Sequence, residues 1–387
     1  MTSKRSRITR RTLWALALAG AASAYAFKDD VAVRHGPHGI EAVRLADAEF
    51  TLVDTFDDGP HVRYVEGGIE AHWICAGKPV VRRIKVAAWP VTLAPECAYP
   101  HPLQIHAGAA VDGDDTVLGV RKLAAFSDPH GQYELLMQLL AANGVVDADS
   151  NWRFGDGQLV VTGDVFDRGH RVTEIFWLLY SLEQQAREAG GRVHFLLGNH
   201  EYMVLRGDLR YLNGKYPRAA RLLGRDYPDL YGNDSVIGRW LRGKRTLLRI
   251  DDALFVHGGI APDFATAGID LAELNARYRA SIGIDPISDA ALADLHDDAS
   301  PIWYRGYFHG AGLVETELDA IMQRFGVRQI VVGHTSLPAV APWHQGRVIS
   351  IDSSIKKGVR GELLFREDGT WRRGTLAGER LPLTPLE

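Results

Sequence analysis

From about residue 121 the chain alternates short apolar runs with amphipathic stretches. Lys122 to Ser127 reads as a strand. Past a polar turn, Tyr133, Leu136, Leu139 and Leu140 recur at helical spacing, and Gly144 supplies a stop. Leu159 to Thr162 is the next strand. Val172, Ile175, Phe176, Leu179 and Leu182 mark a helix that ends at Gly190-Gly191, and Val193 to Leu197 is a third strand. Leu254 to Val256, Gln329 to Val332, Val348 to Ile351 and Glu362 to Phe365 read as later strands. Strand, loop and helix in repetition predict an α/β sandwich over residues 121–370, flanked by helices. Residues 203–245, rich in Arg, Gly and Tyr, read as an inserted cap of helix and loop, and residues 371–387 as a C-terminal tail.

Residues 27–120 have a different texture. His61-Val62-Arg63-Tyr64-Val65 and Ile69 to Ile74 alternate, and Gly67-Gly68 and Gly77-Lys78 punctuate them, which predicts a small β-rich N-terminal unit. Both cysteines, Cys75 and Cys97, lie here. In an oxidising compartment they are expected to pair, stabilising the unit by ~3 kcal/mol; the alternative is two unpaired core thiols. Residues 1–26 read as a secretory leader. Lys4, Arg5, Arg7, Arg10 and Arg11 precede an apolar run from Leu13 to Ala22, and Ala22-Ser23-Ala24 and Ala24-Tyr25-Ala26 are small-residue cleavage sites. Thr9-Arg10-Arg11-Thr12-Leu13-Trp14 resembles a twin-arginine export signal. A periplasmic or otherwise exported mature form is therefore expected. Retention of the leader as a membrane anchor is the alternative.

Composition narrows the function. With 46% apolar and 24% charged residues among 387, disorder, collagen and coiled coil are excluded. A net charge of −4 provides no basic excess for a phosphate backbone, so nucleic acid is not an expected partner. No apolar run reaches the roughly 20 residues that span a bilayer as a helix. Two cysteines make no structural zinc site of their own, but 15 His direct attention to metal or acid–base chemistry.

Five polar clusters follow the apolar strands: Asp128-Pro129-His130-Gly131; Gly163-Asp164-Val165-Phe166-Asp167-Arg168-Gly169; Gly198-Asn199-His200-Glu201; His257-Gly258-Gly259; and Gly333-His334-Thr335. Each lies just past a strand's C-terminal end, where loops of an α/β sheet converge on ligands. Carboxylate, amide and imidazole suit manganese, iron or zinc, with no thiolate involved. Two neighbouring metals need a bridging carboxylate, and Asp164, with clusters on either side, is the natural bridge. Such a pair clamps both oxygens of an in-line displacement at phosphorus. It also brings the pKa of a bound water toward neutrality, giving a hydroxide nucleophile.

Gly-Asp-x-x-Asp-Arg-Gly at 163–169 and Gly-Asn-His-Glu at 198–201 resemble the calcineurin-like metallophosphoesterases, within them the phosphoprotein phosphatase group. Asn199 to Met203, Gly207 to Tyr211 and Pro301 to Arg305 are similar to the Shewanella-like phosphatases. The resemblance covers roughly residues 121–370. It implies that Asp128, His130 and Asp164 hold a first metal, and Asp164, Asn199, His257 and His334 a second. It further implies that His200 is the general acid, oriented by Asp167, and that Arg168 and Arg305 grip phosphoryl oxygens, with Asn199 also facing substrate. The activity implied is a phosphomonoesterase acting on phosphorylated protein, with tyrosine preference, or on small phosphate esters.

Two features depart from the wider family. Ser127 replaces the usual Gly and Pro129 separates the first two ligands; Thr335-Ser336 follows His334 where many relatives carry a second His. The rival readings are a periplasmic small-molecule or nucleotide phosphatase and a non-catalytic binding protein on the same fold. The intact ligand set argues against the second rival. An N-terminal unit docking to the envelope or to a partner is a further expectation that no residue decides. His296, His309 and His344 have no partners at diagnostic spacing and read as solvated or structural. Asp208 and Arg210 are expected to pair with each other. Gly238-x4-Gly243-Lys244 mimics a phosphate loop, but Arg245 stands where Ser or Thr is required.

Overall fold

A computed structural model describes residues 55–386 apart from 109–110, 267, 285–289 and 309–312. The leader, residues 27–54 and His309 therefore lie outside the described residues. The described residues open with strands β1 (Asp58–Val65), β2 (Gly68–Cys75) and β3 (Lys78–Lys85), paired antiparallel in that order. A two-stranded pair follows, β4 (Val91–Leu93) with β5 (Leu103–Ile105). Next come β6 (Thr116–Val117), β7 (Lys122–Phe126), β8 (Gln158–Val161) and β9 (Arg192–Phe195). The later strands are β10 (Leu247–Ile250), β11 (Ala253–Val256), β12 (Gln329–Val332), β13 (Ala341–Trp343), β14 (Val348–Ser350), β15 (Leu363–Glu367), β16 (Thr370–Gly374) and β17 (Arg380–Pro382).

These later elements build two six-stranded sheets, β13-β14-β12-β11-β10-β6 and β17-β16-β15-β7-β8-β9. Strands β7, β8 and β9 run parallel, as do β11, β12 and β14. Alternate residues divide two cores. Leu123 and Ala125 of β7 meet Ala253 and Phe255 of β11 between the sheets, with Val160, Leu248, Val331 and Ile349. The intervening Ala124, Phe126, Leu254 and Val256 face outward into the core that the helices share. Strands covered on both faces read as unbroken apolar runs, which is why the sequence shows them clearly.

The helices are α1 (Tyr133–Ala142), α2 (Val172–Glu188), α3 (Asn199–Leu205), α4 (Lys215–Leu223), α5 (Val236–Arg242), α6 (Pro262–Thr266), α7 (Leu271–Ala280) and α8 (Glu315–Phe325). The expected apolar stripe of α2 is fully buried, but so are Trp177 and Leu178 outside it. A helix apolar all round is covered on all sides. Here the second cover is the N-terminal unit: the Trp177 indole donates to the Pro60 carbonyl at 2.7 Å, and the His106 amide to the Tyr180 hydroxyl at 3.3 Å.

The expected boundaries shift in three places. Residues 57–387 form one compact unit, and β6, within the stretch read as the β-rich unit, pairs with β10 in one of the six-stranded sheets. Residues 203–245 are helix and loop as expected, but α4 lies against β2 and β3, and α5 against β1 and α2, while Tyr211 on the stretch between α3 and α4 is tied to the strand-end loop at Arg168. The segment read as a tail contributes β16, which pairs with β15, and β17, the edge strand beyond it. Cys75 and Cys97 are bonded. The mimic of a phosphate loop is α5, with Lys244 buried and paired to Asp112 and Glu183. Among the described residues no helix is long and apolar enough to cross a membrane.

Candidate metal centre

The five clusters meet at one edge of the sandwich, where β7, β8 and β9 of one sheet and β11 and β12 of the other end. Six of their non-glycine residues have left-handed backbone: Asp128 (φ 55°), His130 (40°), Asp164 (60°), Asp167 (73°), Arg168 (62°) and His334 (62°). That conformation costs each of them energy, and its concentration at one edge marks a site whose geometry outranks local comfort. Close approach does the rest. A Cβ on Gly198 would collide with the Asp164 carboxylate, and one on Gly333 with Ser127 and Asp128.

Asp164 is central. Its Oδ2 stands 3.2 Å from His257 Nε2, 3.5 Å from His130 Nε2 and 3.7 Å from His200 Nε2, while Oδ1 accepts the His200 amide at 3.0 Å. Two groups of donor atoms within 4.8 Å of one another share it: His130, Asp164 and His200, and Asp164, His257 and His334. Asp128 lies 3.7 Å from His130 Nε2 and is held by Ser127 Oγ (2.5 Å) and the His334 amide (2.9 Å). Asn199 Oδ1 and His334 Nδ1 lie 2.8 and 3.1 Å from His257 Nε2. All of these side chains are buried.

The donors are crowded in a way that calls for a cation. His130 Nδ1 and His257 Nδ1 each lie 2.6 Å from a carbonyl, of Phe166 and Thr162. Donation there leaves each Nε2 as a lone pair aimed at carboxylate and amide oxygens. His130 Nε2 and His334 Nε2 are buried without a hydrogen-bond partner, which native structures seldom tolerate unless an ion or water completes the set. Burial lowers the pKa of His130 and His334, keeping them neutral as ligands must be. Burial opposes ionisation of Asp164, yet the His257 and His200 charges outweigh it and hold the carboxylate well below its usual range. For His257, burial is outweighed by Asp164, which pushes the imidazole up to about 9; without a metal, a proton fills that gap. The residues fit two ions sharing Asp164.

His200 belongs to the first donor group by distance, but its Nδ1 is bonded to Asp167 Oδ2. Burial lowers its pKa, and Asp164 and Asp167 together reverse this and raise it. Arg168 is exposed and near enough for its charge to act on His200. Arg305 is exposed too; burial of its base lowers its pKa against the pull of Asp128 and Asp164. The structure thus places the expected ligands, His200, Asp167 and both arginines at one edge. Asp208 and Arg210 pair with each other through two 2.9 Å bonds, and His296 and His344 bond to Ser281 Oγ and the Tyr307 carbonyl, as structural residues do.

Other contributors went unassigned in the sequence. Glu201, fully buried, accepts the amides of Asp164, Val165 and Gly198 at 2.8 Å and of Phe166 at 3.3 Å, and so fixes the loop that carries Asp164. Its place three residues past Gly198 at a helix start was the available signal. Asp352 sits behind Asp128, bound to Ser336 and Ser354; burial and the Asp128 charge push it up to about 7. Nothing around Asp352 in the sequence points to it.

Two helix-flanked sheets with buried carboxylates, imidazoles and an amide gathered at their shared edge define a metal-dependent phosphoesterase, a hydrolase. The chain belongs to the calcineurin-like phosphoesterases, whose family model matches residues 121–338. It is 30% identical over 255 residues to an uncharacterized protein of Schizosaccharomyces pombe, covering 62% of this chain and 74% of that one. It is 24% identical to Shewanella-like protein phosphatase 2 of Arabidopsis thaliana, covering 61% and 72%. The crystal structure of a cold-active protein-tyrosine phosphatase from a psychrophilic Shewanella species matches with a TM-score of 0.81 and 43% identity, over 85% of this chain and 100% of that one. That share exceeds what residues 121–370 can supply, so the likeness reaches beyond the catalytic segment.

Proposed function

We propose that the protein is an exported phosphomonoesterase that removes phosphate from protein-borne tyrosine at a dinuclear metal centre. The observation that carries the reading is the pair of donor groups sharing Asp164 beside a His200–Asp167 pair. In this reading Asp128, His130 and Asp164 hold one ion, and Asp164, Asn199, His257 and His334 the other. Bound there, two ions polarise phosphoryl oxygens and supply a water of lowered pKa. Manganese, iron and zinc all suit these donors. The side chains do the rest. Arg168 and Arg305 orient the phosphoryl group with planar forks. His200, protonated through Asp164 and Asp167, gives its Nε2 proton to the leaving oxygen.

Tyrosine preference is supported by the Shewanella enzyme, whose name gives its own substrate class. Protein-borne substrate is supported by the exposure of Arg168 and Arg305, with α4 and α5 packed away against the N-terminal sheet. Export is supported by the basic, apolar, small-residue order of residues 1–26 and by the Cys75–Cys97 bond, which belongs in an oxidising compartment.

The test is a hydrolysis screen of purified protein loaded with manganese, iron or zinc. It compares phosphotyrosine, phosphoserine and phosphothreonine peptides with nucleotides and sugar phosphates. Phosphotyrosine peptide is expected to give the highest kcat/KM. Turnover of nucleotides or sugar phosphates alone supports the small-molecule reading, and metal loading without any turnover supports a binding protein. For export, fractionation and N-terminal sequencing should find a mature form beginning near Phe27; full-length protein free in the cytosol overturns it.

A further inference from the structure

We propose that the side chain of Tyr211 is the specificity element of the site: an aromatic wall against which the ring of an aryl phosphate packs as its oxygen leaves. This rests on the reading of His200 as the acid of a phosphomonoesterase. Tyr211 is half-buried at the rim, on the stretch between α3 and α4. Its backbone is tied to the loop that carries Asp167. The Arg168 amide donates to the Tyr211 carbonyl at 3.0 Å, and the Asn213 amide side chain to the Arg168 carbonyl at 2.8 Å. The backbone that carries the ring is therefore held against the loop of reacting groups.

That place is next to the proton donor. The Tyr211 ring lies 5.3 Å from the His200 imidazole, tilted by 52°. The Arg168 guanidinium is 5.2 Å from the ring and that of Arg210 is 5.6 Å, the latter clamped by Asp208. The ring is thus framed by the acid, by Arg168, which is read as a phosphate grip, and by Arg210. A general acid must stand within hydrogen-bond reach of the oxygen it protonates. The atoms attached to that oxygen must then pass beside His200, where Tyr211 stands. A phosphotyrosine ring there meets a rigid aromatic partner in an offset or edge-on pair. A phosphoserine carbon chain offers no ring to pair.

The experiment separates ring recognition from leaving-group chemistry by using inhibitors that cannot react. Phenylphosphonate and methylphosphonate are titrated as competitive inhibitors of the manganese-loaded wild-type, Tyr211→Phe and Tyr211→Leu proteins. The same proteins are assayed on one peptide carrying phosphotyrosine or phosphoserine. Leu is expected to weaken phenylphosphonate about 3- to 10-fold and to leave methylphosphonate unchanged. The phosphotyrosine-to-phosphoserine ratio of kcat/KM should fall by a similar factor through KM, while Phe keeps wild-type values. If Leu does not fold, Tyr211→Gln is read the same way. Equal weakening of both phosphonates would show that the ring only positions the arginines, and no change in either would remove Tyr211 from the substrate path; both overturn the proposal. Wild-type protein that binds the phosphonates yet hydrolyses no monoester defeats the functional reading instead, and the phosphonate comparison still decides the role of Tyr211.

Discussion

His200 stands between two carboxylates that ask different things of it. Asp167 fixes the ring through Nδ1, and Asp164, 3.7 Å from Nε2, adds to the charge that raises its pKa against burial. Distance alone leaves His200 a candidate metal ligand as well as an acid, and leaving-group chemistry separates the two roles. Removing a positioned acid costs ~10²–10⁴-fold in rate, and most where the leaving oxygen is basic. His200→Asn should therefore keep two ions per chain by elemental analysis. It should lose far more activity on phosphoserine than on nitrophenyl phosphate, with phosphotyrosine between them. Asp167→Asn should show a weaker version of the same order. Equal losses on all three esters with chemistry rate-limiting, or loss of an ion, would make His200 a ligand. The residues of this site were legible because metal chemistry demands Asp, Asn and His at strand ends, types that packing does not call for there. Glu201 was harder to assign, since it acts on four backbone amides that carry no sequence signature. Tyr211 was legible only as part of a family-like run, because a rim aromatic looks like any other.

Strands β7 to β9, β11 and β12 were legible at the level of elements because both of their faces are apolar. Strand β10 was missed between Arg245-Thr246 and Asp251-Asp252, and β16 and β17 because they are short, charged and half-exposed at or beside the sheet edge. The docking of β1–β3 on α2 was hidden too, although Trp177 outside the α2 stripe was its trace. That docking rests on a buried charged cluster. Asp58, fully buried, bonds to Thr173 Oγ1 and Lys215 Nζ (both 3.0 Å) and to His61 (2.8 Å). Burial opposes its ionisation, but the Lys215 and His61 charges prevail and hold it well below the usual carboxylate range. A depressed carboxylate stabilises the fold above its unfolded pKa, about 3.9, and loses that contribution as pH falls toward the folded value. Glu174 beside it has the opposite sign. Burial lifts it to about 7, so its contribution is present in acid and fades as pH rises through that value. Asp58→Asn should cost about 3 kcal/mol at pH 7, because Lys215 loses its buried partner. Denaturant titrations at pH 7 and below pH 4 should show the gap between wild type and variant narrowing in acid. A gap independent of pH would mean that Asp58 acts by packing alone.

Across the whole molecule, the second of the proposed ions would join the two sheets. Asp128, Asp164 and Asn199 follow β7, β8 and β9 of one sheet, while His257 and His334 follow β11 and β12 of the other. Asp128 reaches across to the His334 amide, so the sheets already share a hydrogen bond there. An ion held by ligands from both sheets binds only when they are correctly stacked, so metal affinity becomes folding free energy. At a hundredfold excess over Kd each ion adds about 2.7 kcal/mol. For a unit of this size a kcal/mol moves Tm by roughly 1–2 °C. Stripping both ions with a chelator should then lower Tm by on the order of 10 °C, reversibly on adding metal back. His334→Asn should lose about half of that response, since it serves one donor group. Asp164→Asn should lose nearly all of it and weaken binding of both ions, because both groups share its carboxylate. The chelator response is the decisive readout, since the substitution also breaks the close contacts of Asp164 with His130 and His257 and lowers Tm for that reason alone. An Asp164→Asn protein that retained two ions and the full chelator shift would show that the ions do not share Asp164. Only the ion held by Asn199, His257 and His334 would then join the sheets.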